Sequence, residues 1–239
     1  MRNGQRTDLT TDGRPTQAEQ DYLKAIHRLG GASQRVSTND IADLLQVRAP
    51  SVTGMLKRLK QSGWVRYQSG HGALLTKTGV TQARLIIRKH RLLELLLTRV
   101  LGLDWSEVDA EAEALEHVVS PRLEQALADC LGDPAEDPHG HPIPSRDGVL
   151  EDRNLQPLSA FQPGDCVVIR EADDSDPEWL RRWETLGLVP GATVRILSVQ
   201  PLDGMFELKI GKKTIHVGTS GLARLCGETV GASPAKVAA

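Results

Sequence analysis

The spacing of apolar residues changes at Gly63, and this change most constrains the fold. Before Gly63, three segments show the three- and four-residue spacing of amphipathic helices; they span residues 17–29, 39–45 and 49–62. After it, apolar and polar residues alternate on both sides of a glycine-rich turn at residues 69–72, which predicts a β-hairpin with strands 64–67 and 73–76. The order helix, helix, tight turn, helix and hairpin predicts a winged helix-turn-helix.

The helix predicted over residues 49–62 carries side chains suited to DNA. One side is apolar, and the other is basic and rich in hydroxyl groups. In a winged helix-turn-helix this helix enters the major groove, and the hairpin touches the backbone or the minor groove. The candidate DNA-contacting residues are Thr38, Arg48, Pro50, Ser51, Thr53, Gly54, Lys57, Arg58, Arg66 and His71. The alternative is a small α+β module that binds no nucleic acid, and the basic face weighs against it.

The charge distribution supports a polyanionic partner for the first part of the chain. The formal net charge is only −2. Residues 1–100 nevertheless hold 17 Lys and Arg against 7 Asp and Glu, whereas residues 101–239 hold 12 against 24. A basic segment beside an acidic one indicates that only the first binds a polyanion. The three cysteines lie far apart, no apolar run reaches membrane-spanning length and no signal core opens the chain, so we expect a cytoplasmic protein without disulfides.

Metal-competent side chains recur at helical spacing between His90 and His117. His90 and Glu94 are four residues apart, and a second set follows at Asp109, Glu113, Glu116 and His117. On a helix each set points to one side. Carboxylates and imidazoles without cysteine suit Mn(II) or Fe(II). The alternative is a solvated, charged helix face, which would explain any single glutamate but explains the whole set less well.

Further helices are predicted at residues 78–101, 106–119 and 121–131, a block suited to homodimerisation and therefore to a two-fold operator. Residues 132–160 read as a loop, and its His139 and His141 are not expected to bind metal because no ligand stands at helical spacing from them. Short strands flanked by turns then predict a small antiparallel barrel; the candidates are residues 166–170, 193–199, 206–210 and 213–217, with one helix at 177–186. The fold class is mainly α with small β parts.

These motifs together resemble the family of the diphtheria toxin repressor and the manganese transport regulator. The resemblance covers about residues 16–226 and is carried by D-Y-L-K-A-I at 21–26, A-P-S-V-T-G-M-L-K-R-L at 49–59, L-T-K-T-G at 75–79, R-K-H-R-L-L-E at 88–94, E-A-L-E-H at 113–117 and D-P-H-G-H-P-I-P at 137–144. It implies a disordered leader, a DNA-binding domain, a helical metal-binding and dimerisation domain, a linker, an SH3-like β-barrel of the FeoA type and a disordered tail. Their predicted boundaries are 1–15, 16–79, 80–144, 145–160, 161–226 and 227–239.

The resemblance also implies two metal positions. One takes Asp21, Glu113, Glu116 and His117, and the other takes His90, Glu94 and Asp109 with ligands lent by the SH3-like domain. For those lent ligands the acidic run at 173–178 offers Asp176 and Glu178 first and Asp174 after them, although capping of the following helix would explain the same run.

Asp21 and Glu113 stand where iron-responsive members of the family carry methionine and cysteine. Oxygen ligands favour Mn(II), with Fe(II) as the alternative. Lys24 replaces a glutamate that helps manganese regulators of the short type to hold a second ion there. The implied function is a metal-activated repressor of metal-uptake genes that binds a palindromic operator as a homodimer. The alternatives are an iron-responsive regulator, a metal-dependent hydrolase using the same ligands, and a metal-buffering protein, which would not need the winged helix.

Overall fold

The computed structural model describes residues 14–200 and 202–230. It divides into two compact units, each with its own core. The first comprises the residues up to Lys89 together with residues 144–150, and the second comprises residues 90–143 and the chain from Glu151 onward. Nearly all of the leader predicted over residues 1–15 lies outside the described residues. Among the described residues, no helix combines the length and the apolar character needed to cross a membrane.

Three helices of the first unit form as the sequence predicts. They are α1 (Gln17–Arg28), α2 (Thr38–Leu45) and α3 (Ala49–Gln61). Thr16 caps α1, because its hydroxyl accepts from the Glu19 amide while the Glu19 carboxylate accepts from the Thr16 amide at 2.9 Å. Ser37 caps α2, because its hydroxyl accepts from the Asp40 amide at 3.0 Å. The tight connection to α3 is made at Gln46, whose backbone is left-handed with a φ of 53°.

The predicted hairpin follows α3 as β1 (Val65–Gln68) and β2 (Gly72–Leu75), which pair antiparallel. Ala73 also exchanges two backbone hydrogen bonds with Val36, both 2.8 Å long. This close approach requires Gly72, since a Cβ there would lie 2.3 Å from the Val36 carbonyl oxygen. The core of the unit is formed by the helices and the hairpin together. Its fully buried side chains include Leu23, Ile26, Ile41, Val52, Leu56 and Leu59.

The long helix predicted over residues 78–101 is present as α4 (Lys77–Leu95). It continues into a π-helical turn at Leu96–Val100, where each backbone hydrogen bond spans one residue more than in an α-helix. Helix α6 (Pro121–Leu131) also has its predicted bounds and is capped by Ser120. The inner side chains of this helical block include Leu92, Leu93, Leu97, Val108 and Leu127.

Helix α5 is shorter than predicted and spans Val108–Leu115 instead of residues 106–119. It begins late because Asp104 accepts hydrogen bonds from both the amide and the hydroxyl of Ser106, at 2.8 and 2.6 Å, and such local bonds compete with a helix. The helix ends at Leu115 with Glu116 as its C-cap, so His117 lies just beyond the cap.

The rest of the second unit is built on a six-stranded antiparallel sheet in the order β3-β8-β4-β5-β6-β7. Its strands are β3 (Gln156–Pro157), β4 (Cys166–Ala172), β5 (Thr193–Gln200), β6 (Met205–Ile210), β7 (Lys213–Gly218) and β8 (Leu225–Thr229). Helices α7 (Pro177–Leu186) and α8 (Thr219–Leu222) complete this domain, whose core surrounds the fully buried Trp183.

Two predicted boundaries are corrected by β3 and β8. The linker predicted over residues 145–160 contains β3, and the tail predicted from residue 227 begins too early because β8 runs to Thr229. Residues 231–239 of that tail lie outside the described residues. Strand β8 escapes prediction because a glycine occupies its second buried position, so the sequence lacks the apolar alternation of a strand. Gly227 is needed there, since a Cβ would lie 2.4 Å from the Val168 carbonyl oxygen.

Candidate metal centre and nucleic-acid surface

Three of the predicted metal ligands meet inside the second unit. His90 and Glu94 stand on successive turns of α4, and Asp109 reaches them from the first turn of α5. The His90 Nε2 atom lies 3.4 Å from Glu94 Oε1 and 3.3 Å from Asp109 Oδ1. Glu94 is fully buried, and His90 is 6% exposed. A charged carboxylate is rarely buried so completely unless a cation or a hydrogen-bond donor compensates it.

The ring of His90 is oriented by Glu116. The His90 Nδ1 atom lies 2.7 Å from Glu116 Oε2. Because a carboxylate oxygen only accepts, Nδ1 carries the hydrogen and donates it. The Nε2 atom then faces Glu94 and Asp109. A histidine whose second nitrogen is held by a carboxylate is the usual arrangement of a metal ligand.

His139, which we did not predict as a metal ligand, lies against the same glutamate. Its side chain is fully buried, and its Nδ1 lies 3.4 Å from Glu94 Oε1. Its Nε2 lies 2.8 Å from the Trp105 carbonyl oxygen, and its ring stacks on the Trp105 ring at 5.4 Å between centroids. The Nε2 atom therefore carries a hydrogen, and Nδ1 faces Glu94.

The loop that holds His139 is shaped by Asp137. The Asp137 Oδ1 atom accepts from the backbone amides of His139 and His141, at 2.8 and 2.9 Å. Its Oδ2 atom lies 3.3 Å from Arg91 Nε and 3.2 Å from His141 Nδ1. Aspartate side chains often accept a hydrogen bond from the backbone amide two residues further on and so form a turn. The D-P-H sequence predicts such a turn, but a prediction based on helical spacing alone does not use it.

The acidic run before α7 contributes Asp174 to this cluster. Asp174, His139 and Glu94 each offer one ligand atom, and these three atoms lie within 4.8 Å of one another. Asp176 instead caps α7, with its side chain accepting from the Glu178 amide at 2.9 Å, and Glu178 is exposed. The structure therefore does not bring the two preferred residues, Asp176 and Glu178, to the cluster; it brings Asp174, which ranked behind them.

The electrostatics of the cluster tie its histidines to Glu94. Burial alone would lower the pKa of His139, but its contacts with the Glu94 carboxylate outweigh burial and raise the pKa to about 9. The pKa of His90 is also raised well above its usual value, because its carboxylate partners outweigh the burial of the ring. Burial would raise the pKa of Glu94, yet its two histidine partners hold it well below its usual range. Without a metal, protons on the histidines balance the buried glutamate.

The chemistry of these donors fits a divalent transition metal. Glu94 Oε1, Glu94 Oε2 and His139 Nδ1 are buried, and none of them has a hydrogen-bond partner among the described residues. The 3.4 Å contact between Glu94 Oε1 and His139 Nδ1 is too long for a good hydrogen bond. A cation would satisfy all three atoms at once. The donors are oxygen and nitrogen, since Cys130, Cys166 and Cys226 take no part in the cluster, and such donors suit Mn(II) and Fe(II).

The second predicted metal position draws on both units. Glu113, Glu116 and His117 belong to the second unit, where His117 Nε2 lies 3.6 Å from Glu116 Oε1. Asp21 stands on α1 in the first unit. Its participation remains a prediction from sequence.

The predicted DNA-contacting residues belong to α2, α3, the connection between them and the hairpin of the first unit. Most are exposed, while Thr38 and Thr53 are half-buried. A groove of about 580 Å³ between α3 and the hairpin is lined by Lys57 and Arg66, and also by two basic residues that the sequence analysis did not select, Arg35 and Lys60. Arg35 is fixed there because its guanidinium donates to the Gly72 carbonyl at 3.1 Å.

The sequence matches three family models in the order of these domains. Residues 16–73 match the DNA-binding domain of iron-dependent repressors, residues 76–145 match their metal-binding and dimerisation domain, and residues 156–226 match the FeoA domain. The iron-dependent repressor IdeR of Mycobacterium tuberculosis is 33% identical over 190 residues, which cover 73% of this chain and 81% of that protein. This chain belongs to the family of the iron-dependent and diphtheria toxin repressors.

Other members of the repressor family agree with this assignment. The diphtheria toxin repressor of Corynebacterium diphtheriae is 37% identical over 160 residues, which cover 67% of this chain and 68% of that protein. A manganese-dependent transcriptional repressor solved with manganese has a TM-score of 0.83 at 33% identity and covers 89% of this chain and 100% of its own. The manganese regulator SloR has a TM-score of 0.72 at 29% identity, over 88% of this chain and 98% of its own.

Family membership settles the broad function. The chain is a metal-dependent transcriptional repressor with a DNA-binding domain, a dimerisation domain and an SH3-like FeoA domain. It is not an enzyme, so the hydrolase alternative is excluded.

Proposed function

We propose that this repressor responds to Mn(II), with Fe(II) as a weaker activator, and that it represses metal-uptake genes. The observation that carries the proposal is the buried cluster around Glu94, which offers only carboxylate and imidazole donors. Sulfur ligands would bias a site towards softer metals, whereas oxygen donors favour Mn(II). Asp21 and Glu113, the residues that replace sulfur ligands at the second predicted position, point in the same direction, although that position rests on sequence alone.

A bound cation would neutralise carboxylates that protons otherwise balance. On the protein's side, His90 offers Nε2 while Glu116 holds its ring, and His139 offers Nδ1 while the Trp105 carbonyl holds its ring. Glu94 and Asp109 supply the negative charge. A metal activates DNA binding to the extent that it binds the DNA-competent state more tightly than the other states.

The repressor is proposed to bind a palindromic operator in the cytoplasm as a homodimer. A dimer with two-fold symmetry presents two copies of α3, which match two half-sites related by the same symmetry. The exposed hydroxyl and methylene groups of Ser51 and Pro50, with half-buried Thr53, are suited to base edges or thymine methyls. Lys57 and Arg58 are suited to phosphates, as are Arg66 and His71 on the hairpin.

The direct test is DNA binding with the two metals compared side by side. Fragments from the chain's own genomic neighbourhood are titrated with the full-length protein at fixed free Mn(II) or Fe(II), under anaerobic conditions. We expect DNA binding to require metal. The free metal concentration that gives half-maximal binding, divided by the cellular concentration of that metal, should be lower for Mn(II) than for Fe(II). Binding that is independent of metal would contradict metal activation. Equal or stronger activation by Fe(II) would instead support the iron-responsive alternative.

Lys57→Ala tests the phosphate-contacting part of the surface. Lys57 is exposed on α3 and lines the basic groove, so its loss should weaken binding to operator and random DNA alike. The slope of log affinity against log salt should become shallower by about one unit. Lys212→Ala is the matched control, because Lys212 is an exposed lysine between β6 and β7 in the FeoA domain. Unchanged binding by Lys57→Ala to both DNAs would contradict the proposed surface.

Metal binding near neutral pH should release protons. The pKa of His139 is raised to about 9 and that of His90 is also raised, so both rings are protonated in the metal-free protein. Their contribution to stability is complete below their unfolded pKa of about 6.5 and is lost as pH rises through the folded values. Because metal must displace these protons, about two protons should be released per chain. The apparent affinity for metal should rise as pH increases from about 6.5 through the folded pKa values of the two histidines.

The proton count can be measured by calorimetric titration of Mn(II) in buffers of different ionisation enthalpy. His139→Gln should release fewer protons than the wild type. A heat that is the same in all buffers would show that the histidines are not protonated before metal binds.

A further inference from the structure

Glu19 is a buried acid of the first unit that the proposed function does not use. It is 5% exposed and lies on the inward side of α1, together with the buried Tyr22, Leu23 and Ile26. The helical spacing of these three residues predicts an apolar side chain at position 19. Because a carboxylate is rarely buried unless its oxygens have partners, the partners of Glu19 indicate its role.

The two oxygens of Glu19 contact different elements. Its Oε2 atom accepts from the amide and from the hydroxyl of Thr16, both at 2.9 Å, and so caps the start of α1. Its Oε1 atom lies 3.5 Å from Nη2 of Arg58 on α3. A neutral glutamine can make the same cap, since a capping box accepts either residue. The cap therefore does not account for the negative charge of Glu19, whereas the ion pair with Arg58 does.

Arg58 lies on the side of α3 that carries candidate base contacts. It follows Gly54 by four residues and Ser51 by seven, so the three share one side of the helix, and all three are exposed. Half of the Arg58 side chain is exposed, whereas that of Glu19 is buried. A guanidinium is a planar fork with five N–H donors. Its Nε and Nη1 atoms can therefore bind a second anion while Nη2 faces Glu19.

We propose that Glu19 is a positioning residue for DNA binding, which holds the Arg58 guanidinium where it can bind a backbone phosphate. The Glu19 carboxylate is itself fixed by burial and by Thr16, so the orientation of Arg58 depends on α1. An arginine that is already held in place loses less conformational freedom when it binds. Among the described residues, the other two basic side chains of α3, Lys57 and Lys60, have no carboxylate partner, so this support is particular to Arg58.

Charge alone predicts the opposite effect of Glu19 on DNA binding. A carboxylate near DNA repels the phosphates, so removal of its charge would strengthen binding if repulsion were its only effect. If Glu19 holds Arg58 in place, removal of the charge should weaken binding instead. The sign of the change therefore distinguishes the two roles. This inference rests on the proposed function, because it takes Arg58 as a phosphate contact.

The test is a double-mutant cycle on the full-length protein at saturating Mn(II), with labelled operator and random DNA. Glu19→Gln should weaken binding to both DNAs by about 2- to 10-fold, the effect of one long side chain that must be ordered on binding. In the Arg58→Ala background the same substitution should cause no further loss, since no guanidinium remains to be positioned. The matched cycle pairs Glu19→Gln with Lys57→Ala, and there the two losses should multiply as they do for independent sites.

Two results of the cycle would overturn the positioning role. One is a Glu19→Gln protein that binds DNA as tightly as the wild type or more tightly. The other is an equal loss with and without Arg58, which is the result expected from a damaged fold. An Arg58→Ala protein that binds both DNAs like the wild type would refute the phosphate contact of the proposed function, and the inference with it.

Arg58→Lys tests the same role without a change in the core, and it decides the matter if Glu19→Gln does not fold. Lysine keeps the charge of α3 but lacks the planar fork that can face a carboxylate and a phosphate together. It should bind DNA more weakly than the wild type by a factor similar to that of Glu19→Gln. Binding equal to that of the wild type would show that only the charge matters and would overturn the inference.

Discussion

Glu94→Gln should raise the Mn(II) concentration needed for half-maximal DNA binding by about 100-fold or more, since even residues that only support a ligand contribute 10- to 100-fold to affinity. Glutamine keeps nearly the same shape but removes the charge. Glu94 is fully buried and its Oε1 atom lies 3.4 Å from both His90 Nε2 and His139 Nδ1, so the substitution removes the charge that both histidines face. The measurement is fluorescence anisotropy of labelled operator DNA, titrated at a series of free Mn(II) concentrations.

Glu111→Gln is the control for this result. Glu111 is exposed in the first turn of α5, next to the metal-competent residues of that helix but outside the cluster. Its variant should behave as the wild type. Thermal unfolding of both variants without metal would separate lost binding from lost folding. A Glu94→Gln protein that folds and is still activated at wild-type Mn(II) would exclude the buried cluster as the regulatory site.

Gly54→Glu should weaken operator binding by on the order of 100-fold without unfolding the protein, because a like charge placed against an interface costs several kcal/mol. Gly54 lies on the exposed face of α3, and a Cβ there would meet no atom within 4 Å. A side chain is therefore tolerated by the fold. Helix propensity even predicts a gain of up to about 1 kcal/mol when glycine is replaced in an exposed helix.

Gly54→Ala separates the effect on stability from the effect on DNA binding. This variant should share the gain in stability, measured by chemical denaturation, but should change DNA binding much less because a methyl group carries no charge. If Gly54→Glu bound operator DNA as well as Gly54→Ala does, α3 would not face the phosphates, and the winged-helix surface would have to be placed elsewhere.

The sequence was sufficient wherever a local signal determines the structure. The capping box at Thr16, Pro50 at the start of α3 and the glycine-rich turn of the hairpin depend on residues close together in the chain, and their elements form within a few residues of the predicted bounds. The pairing of His90 with Glu94 was also accessible, since one helix sets their spacing.

The sequence was insufficient where residues distant in the chain decide the outcome. Helical spacing could not bring His139 to Glu94, because the contact depends on a loop that Asp137 shapes and on the Trp105 carbonyl. In the acidic run, composition alone could not separate Asp174 from Asp176, since capping and ligation favour the same residue types.

The stacking of Trp105 on His139 gives the molecule an intrinsic optical reporter. An indole ring emits less light when a protonated imidazole lies against it, and the two ring centroids are 5.4 Å apart. Trp64, Trp179 and Trp183 lie outside the metal-competent groups and supply a constant background. We therefore expect the emission of the unlabelled chain to follow the protonation of the fully buried His139, and metal binding at the cluster to change that emission without a dye or a chelator.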